Sequence, residues 1–151
     1  MLKNISIRHA NRLDVLDILS WRNDPKVIRG AIDKVPIEFK NHVNWFENQL
    51  KNKTLFLAHL DNRPLGVVSF TEEAKGSYSW SFYVVPEQQG KGNGVPLMEL
   101  GLLIARNILG ADRLQGEVQH PNRRSKDLHN RLGFIHILND NNLAIYIKEL
   151  K

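Results

Sequence analysis

The chain of 151 residues contains no cysteine. That absence excludes disulfides, cysteine-ligated zinc and a cysteine acyl-enzyme. It also suits a reducing compartment. Long apolar runs are missing too. The longest, Leu100 to Ala105, is far too short to span a bilayer. The Met-Leu-Lys-Asn start leads into an alternating segment without a signal-type apolar run. A cytoplasmic protein with no membrane partner is expected. No Arg/Lys-aromatic ladder accompanies the net charge of +5, so no nucleic-acid partner is expected either. Repeats, low-complexity tracts and interdomain linkers are absent. No metal site is expected.

What is present suits one domain over residues 1–151. Hydrophobic residues make up 42% of the chain, enough for one core at this length. The positive charge fits an anionic ligand such as a nucleotide. Ile5 to Arg8 predicts a short strand. Leu13, Leu16 and Leu19, with Val15 and Ile18, predict a helix ending near Asn23-Asp24-Pro25. Residues 25 to 36 read as loop or a short turn. Ile37 to Lys51 reads as a second helix, with Phe39, Val43, Phe46 and Leu50 at core-facing spacing. The period then changes. Strands are predicted at Leu55 to Leu60, Leu65 to Thr71 and Tyr78 to Val85, with a turn at Asp61-Asn62-Arg63-Pro64. Val95 to Leu109 reads as a largely buried helix stopped by Gly110. A strand at Leu114 to Gln119, a helix at Arg123 to Leu132 and a final pair at Phe134 to Leu138 and Leu143 to Lys148 complete the order. The pattern is α+β, with one sheet and helices on its faces.

Residues 84 to 96 carry the chemistry. A strand ends at Pro86, a glycine-rich loop follows, and a buried helix starts near Val95 with Pro96 in its first turn. Glycines let backbone N–H groups approach a ligand without an intervening Cβ. The helix start adds unpaired N–H groups and a partial positive charge. Together these make a phosphate cradle. The loop Gln89-Gly90-Lys91-Gly92-Asn93-Gly94 is not a Walker P-loop. A flexible glycine turn is the plainer reading of it.

Gln89-x-x-Gly92-x-Gly94, after Val84-Val85-Pro86-Glu87, resembles the cofactor motif of the GNAT N-acetyltransferase superfamily. Glu117-Val118, Asn122, Ser125, Leu128 and Leu132-Gly133-Phe134 resemble that superfamily's next strand and helix. The resemblance implies a mixed, mostly antiparallel sheet of about seven strands, splayed in a V between its central strands, with about four helices. It implies acetyl-CoA as co-substrate, lying near Tyr83-Val84-Val85 and Glu117-Val118. Backbone N–H groups of Gln89, Gly90, Lys91, Gly92, Asn93 and Gly94 would hold the pyrophosphate. An amide near Val85 would polarise the thioester carbonyl. Asn122, with Ser125 beside it, would meet the pantetheine arm.

Without a cysteine, direct attack by a neutral amine on the thioester is favoured. The site then needs a proton acceptor and benefits from a donor to the leaving thiolate. Glu117 is the base expected from the resemblance, with Glu72, Glu73 or a water relay as rivals. His129 is the expected acid; many members carry tyrosine there, and a structural histidine is the alternative. The N-terminal third usually reads the acceptor in this superfamily. Trp21-Arg22-Asn23-Asp24-Pro25 and His42-x-x-Trp45-Phe46 resemble the branch that acetylates the 4-amino group of a UDP-linked amino-dideoxy sugar, in pseudaminic acid synthesis. On the second helix, His42, Trp45 and Gln49 share a face that is expected to line a cleft. Arg22, Arg29, His42 and Trp45 are the expected acceptor-side residues, for a small-molecule amine, foremost a nucleotide sugar. Packing or pairing roles for Trp21, Trp45, Arg22 and Asp24 are the alternative. Protein N-terminal acetylation and a non-catalytic acyl-CoA-binding module are the competing functions. Homodimer formation through sheet edges accords with the superfamily.

Overall fold

The computed structural model describes residues 4–151. Among these lie seven strands and five α-helices, in the order β1 (Ile5–His9), α1 (Val15–Arg22), α2 (Pro25–Ile28), α3 (Phe39–Asn52), β2 (Leu55–Leu60), β3 (Arg63–Ala74), β4 (Ser77–Val84), α4 (Gly94–Asn107), β5 (Arg113–Gln119), α5 (Arg123–Arg131), β6 (Ile135–Asp140) and β7 (Leu143–Glu149). The strands form a mixed sheet in the order β1-β2-β3-β4-β5-β7-β6. Antiparallel ladders join β1 to β2, β2 to β3, β5 to β7 and β6 to β7. The β4–β5 ladder is parallel and short, pairing Ser77–Ser79 with Arg113–Gln115, although both strands run further.

Two compact units emerge, and each is built from two stretches of chain. Unit 1 comprises Met1–Ser69 and Phe82–Asn93. Its core gathers Ala10, Ile18, Phe46, Leu55, Leu57 and Val67, with Val15, Trp21, Leu50 and Tyr83 packed against them. Its β2–β3 connection turns at Asp61 and Asn62, both with positive φ, 50° and 66°. Asn and Asp tolerate that region, which matches the twist of a tight hairpin. Arg8 makes two hydrogen bonds to Asp14, at 2.7 and 2.8 Å. Asp14 also closes a capping box with Asn11 at the single 3-10 turn before α1.

Helix α3 corrects the sequence reading. Its buried residues are His42, Phe46 and Gln49. Phe39, expected in the core, is 57% exposed at the helix start. The polar pair is tolerated inside because each finds a partner. The His42 Nε2–H donates to the Val15 carbonyl at 2.8 Å. Gln49 Oε1 accepts from the Thr54 hydroxyl at 2.7 Å. Satisfied in this way, they escape the cost of an unpaired buried polar group.

Unit 2 comprises Phe70–Ser81 and Gly94–Lys151. Helix α4 buries Leu97, Met98, Gly101, Leu102, Ile104 and Ala105. It is less enclosed than its composition predicts, because Leu103 on the helix and Ile108 just past its end are each 52% exposed. Gly110, with φ of 63°, follows its end. Strand β3 outruns its predicted end at Thr71 and reaches Ala74 before Gly76 turns the chain into β4.

Candidate active site

The loop expected to bind phosphate closes unit 1. Strand β4 ends at Val84, and a 3-10 turn spans Pro86–Gln88. The chain then passes Gly90 and Gly92 with φ of 75° and 76°. The glycines are required by conformation, since a Cβ added to either meets nothing within 4 Å. Two side chains set the loop's shape. Gln89 Nε2 donates to the Val84 carbonyl at 3.0 Å. Buried Asn93 donates through Nδ2 to the Gln88 carbonyl at 3.0 Å. The backbone N–H groups of Gly90, Lys91 and Gly92 have no partner among the described residues. Successive donors of this kind, beside two glycines whose Cβ directions are open, fit an anionic diphosphate. Val85 is different. Its N–H donates to the Leu65 carbonyl at 2.9 Å, so that amide is already engaged and does not meet the expectation of a carbonyl-polarising donor.

Elsewhere in unit 1, Tyr83 is tied to α1, donating its hydroxyl to the Ile18 carbonyl at 3.2 Å. Burial pushes the Tyr83 phenol far above its ordinary pKa, and the nearby Arg22 charge opposes that push. Arg22 is half-buried and donates through Nη2 to the Asp33 carbonyl at 2.9 Å. Arg29 is exposed. Trp45 is 38% exposed, with its ring 5.8 Å from that of His42. His42 itself is inside the unit on its Val15 contact. Sequence spacing put it on a cleft-lining face, and the structure puts it in the packing. Burial also pushes the His42 pKa below its ordinary value.

In unit 2, Glu117 is exposed on β5, facing Ile145 across the ladder and accepting from Gln115 Nε2 at 3.4 Å. Asn122 caps α5, its Oδ1 accepting from the Ser125 N–H at 3.1 Å. Its Nδ2 has no partner among the described residues and is left to donate. The rival bases are also exposed and each accepts one hydrogen bond: Glu73 from the Ser79 hydroxyl at 2.7 Å, and Glu72 from the Gly76 N–H at 3.3 Å.

His129, expected to protonate the thiolate, is committed at both ring nitrogens. Its Nδ1–H donates to the Ser125 carbonyl at 2.8 Å. Its Nε2 accepts from the Trp80 indole N–H at 3.2 Å. The ring is 2% exposed and lies edge-on to Phe134, with centroids 4.8 Å apart. Burial holds its pKa below the ordinary histidine value, which keeps it neutral. A neutral ring with its one proton on a carbonyl has none to give, so the acid role is withdrawn. Gly116 was not singled out in the sequence. Any Cβ there would meet His129 Nε2, with Trp80 Nε1 only 3.1 Å away. Trp80 and Gly116 could not be paired with His129 by spacing; Trp80 lies 49 positions from it.

Comparison with known proteins bears on this arrangement. The acetyltransferase (GNAT) family model matches residues 15–134. The acetyltransferase PseH of Campylobacter jejuni is 29% identical over 136 residues, which is 89% of this chain and 85% of the relative. The L-methionine sulfoximine/L-methionine sulfone acetyltransferase of Pseudomonas aeruginosa is 31% identical over 137 residues, 85% of this chain and 79% of the relative. A Salmonella typhimurium acetyltransferase solved with its cofactor acetyl-CoA has the same fold. It superposes with a TM-score of 0.78 at 20% identity, over 97% of this chain and 94% of that one.

Proposed function

This chain belongs to the GNAT acetyltransferase family, and from that premise we propose that it acetylates the 4-amino group of a UDP-linked amino-dideoxy sugar. The family makes it an acetyl-CoA-dependent N-acyltransferase. The observation that carries the cofactor assignment is the run of unpartnered N–H groups at Gly90, Lys91 and Gly92. The loop from Gln89 to Gly94 holds the pyrophosphate. Asn122 gives its free Nδ2–H to a pantetheine carbonyl, and Ser125 lies beside it on α5. The thioester runs along Val84 and Val85.

The transfer is direct. The amine lone pair attacks the acyl carbon, a C–N bond forms, and the C–S bond breaks to release the CoA thiolate. The proton lost by the attacking amine passes to Glu117, whose exposed carboxylate is able to take it directly or through water. His129 acts at a distance, by fixing Trp80 and the start of α5. The thiolate leaves without a dedicated donor.

The sugar assignment is supported by the two N-terminal motifs and by the similarity to PseH. One observation favours a second reading. The similarity to the methionine sulfone enzyme is of the same order, which supports a free amino acid as acceptor. The assay supplies protein and acetyl-CoA with either the UDP-4-amino sugar or L-methionine sulfone. Thiol release is followed and the product is identified by mass. The sugar reading predicts saturable release with the sugar; silence with the sugar and turnover with the sulfone would transfer the assignment to the amino acid.

A further inference from the structure

Helix α1 runs into Trp21-Arg22-Asn23-Asp24-Pro25, and the structure accounts for four of these five residues. Trp21 packs on the unit 1 core. Asn23 grips Ile37 twice, its Nδ2 donating to the carbonyl at 2.9 Å and its Oδ1 accepting from the N–H at 2.8 Å. Asp24 caps α2 by accepting from the Lys26 N–H at 2.8 Å, and Pro25 fills the first helical position. Arg22 is the exception. Its Nη2 is spent on the neutral Asp33 carbonyl. Its Nη1 is shielded from water and has no hydrogen-bond partner among the described residues.

A guanidinium carries five donors and no acceptor. Burying a charged donor without a partner is among the costliest arrangements a fold retains, and it calls for a reason. Nearby carboxylates do not supply one. Asp24 is turned to Lys26, and Asp33 accepts from the Val35 N–H at 3.0 Å. No ion pair to Arg22 forms among the described residues. Its location is also specific. Ile18, which accepts the Tyr83 hydroxyl, lies four residues before Arg22 and therefore on the same face of α1. The Arg22 charge is felt at the Tyr83 phenol. Tyr83 directly precedes Val84 and Val85, where the thioester is assigned. All these residues lie within unit 1.

We infer that Arg22 anchors an anionic group on the acceptor, so that the substrate class is an amine that also carries an oxyanion such as a carboxylate or a phosphate. A planar guanidinium suits such groups by its paired donors. An oxyanion outcompetes the neutral Asp33 carbonyl, and the guanidinium then turns out of the position in which Nη1 is shielded, so that Nη1 is satisfied as well. Cationic amines such as polyamines gain nothing there and are repelled. The inference rests on the acetyl-transfer reading above. It holds for either acceptor proposed, since a UDP-sugar supplies phosphates and an amino acid supplies a carboxylate.

The test sets each amine against an uncharged twin. L-methionine sulfone is compared with its carboxamide, and the UDP-4-amino sugar with the free 4-amino sugar; spermidine is the cationic control. In the wild type, kcat/KM for the anionic member exceeds that of its twin by about tenfold or more. The pair with the larger ratio identifies the source of the anion. Arg22→Gln brings the ratio close to one, and Arg22→Lys leaves it intermediate. A merely structural arginine would slow both twins alike and preserve the ratio. That result, or wild-type twins turned over equally, overturns the inference. If no amine is acetylated, the transferase reading fails instead. The anchor is then judged by calorimetry with UDP and L-methionine sulfone. Binding weakened about tenfold in Arg22→Gln supports it. Unchanged binding, or none to the wild type, overturns it.

Discussion

Glu117 and Gly116 are neighbours on β5 with opposite duties, and single substitutions separate them. Glu117→Gln keeps the shape of the exposed side chain and removes the proton acceptor. The expected loss in kcat is about 10²- to 10⁴-fold at neutral pH, with acetyl-CoA affinity nearly intact, read by thiol release and calorimetry. An unchanged rate would hand the proton to water or to Glu72 or Glu73. Gly116→Ala acts on folding instead. The new methyl group presses on His129, which cannot swing away because the Ser125 carbonyl and the Trp80 indole hold it from both sides. A destabilisation of about 1–3 kcal/mol is expected in denaturant titrations. The same burial sets a pH dependence. His129 and His42 are both held below the ordinary value of 6.5, so the unfolded chain binds protons that the fold refuses. Stability is full above about pH 6.5 and declines as the pH falls through the folded-state values. Asp14 adds to the loss lower down: its hydrogen bonds with Arg8 hold its carboxyl below 3.8, and their contribution disappears as that carboxyl protonates. Melting temperatures followed by circular dichroism from pH 7 downward should show the first decline. A flat response from pH 7 to 5 would mean that the buried rings are not kept neutral.

Among elements, the glycine loop is where sequence and geometry agree best. Gly92 has an open Cβ direction and a φ of 76°. Gly92→Val therefore places its Cβ against no protein atom, but it strains the backbone and puts a branched side chain on the loop that carries the donors. Acetyl-CoA affinity is expected to fall about tenfold or more, since a non-glycine residue in this region costs about 1–2 kcal/mol, which the free loop sheds by relaxing away from the donor-presenting conformation. Normal affinity by calorimetry would contradict the cradle. The order of strands and helices was legible because hydrophobic period, glycine and proline are local signals. The α3 stripe was not. Phe39, Val43, Phe46 and Leu50 are spaced for burial, but His42 and Gln49 are buried with Phe46, and Phe39 is left outside. What decides between them is the Val15 carbonyl and the Thr54 hydroxyl, partners that no spacing rule names. For His129 the sequence left an acid and a structural role open for the same reason, and the two contacts of its ring favour the structural one. Its position on α5 was legible, but its commitment to Trp80 was not.

For the whole molecule, the net charge of +5 suits anionic reactants. Each unit is assembled from two separate stretches, and strands β3 and β4 contribute residues to both. Neither unit is thus an independent run of chain, which argues for one cooperative unfolding transition. The tryptophans make this measurable. Trp21 and Trp45 belong to unit 1, and Trp80 is the buried indole of unit 2. Removing the first two, as Trp21→Phe with Trp45→Phe, leaves a single emitter whose N–H is bonded to an imidazole. Its fluorescence midpoint should coincide with the circular dichroism midpoint; a gap between them would mean that the units melt separately. The indole–imidazole contact has an optical consequence as well. Protonating a ring that sits against an excited indole quenches it, so the emission of this variant doubles as an internal acid gauge, dimming when a proton enters the interior.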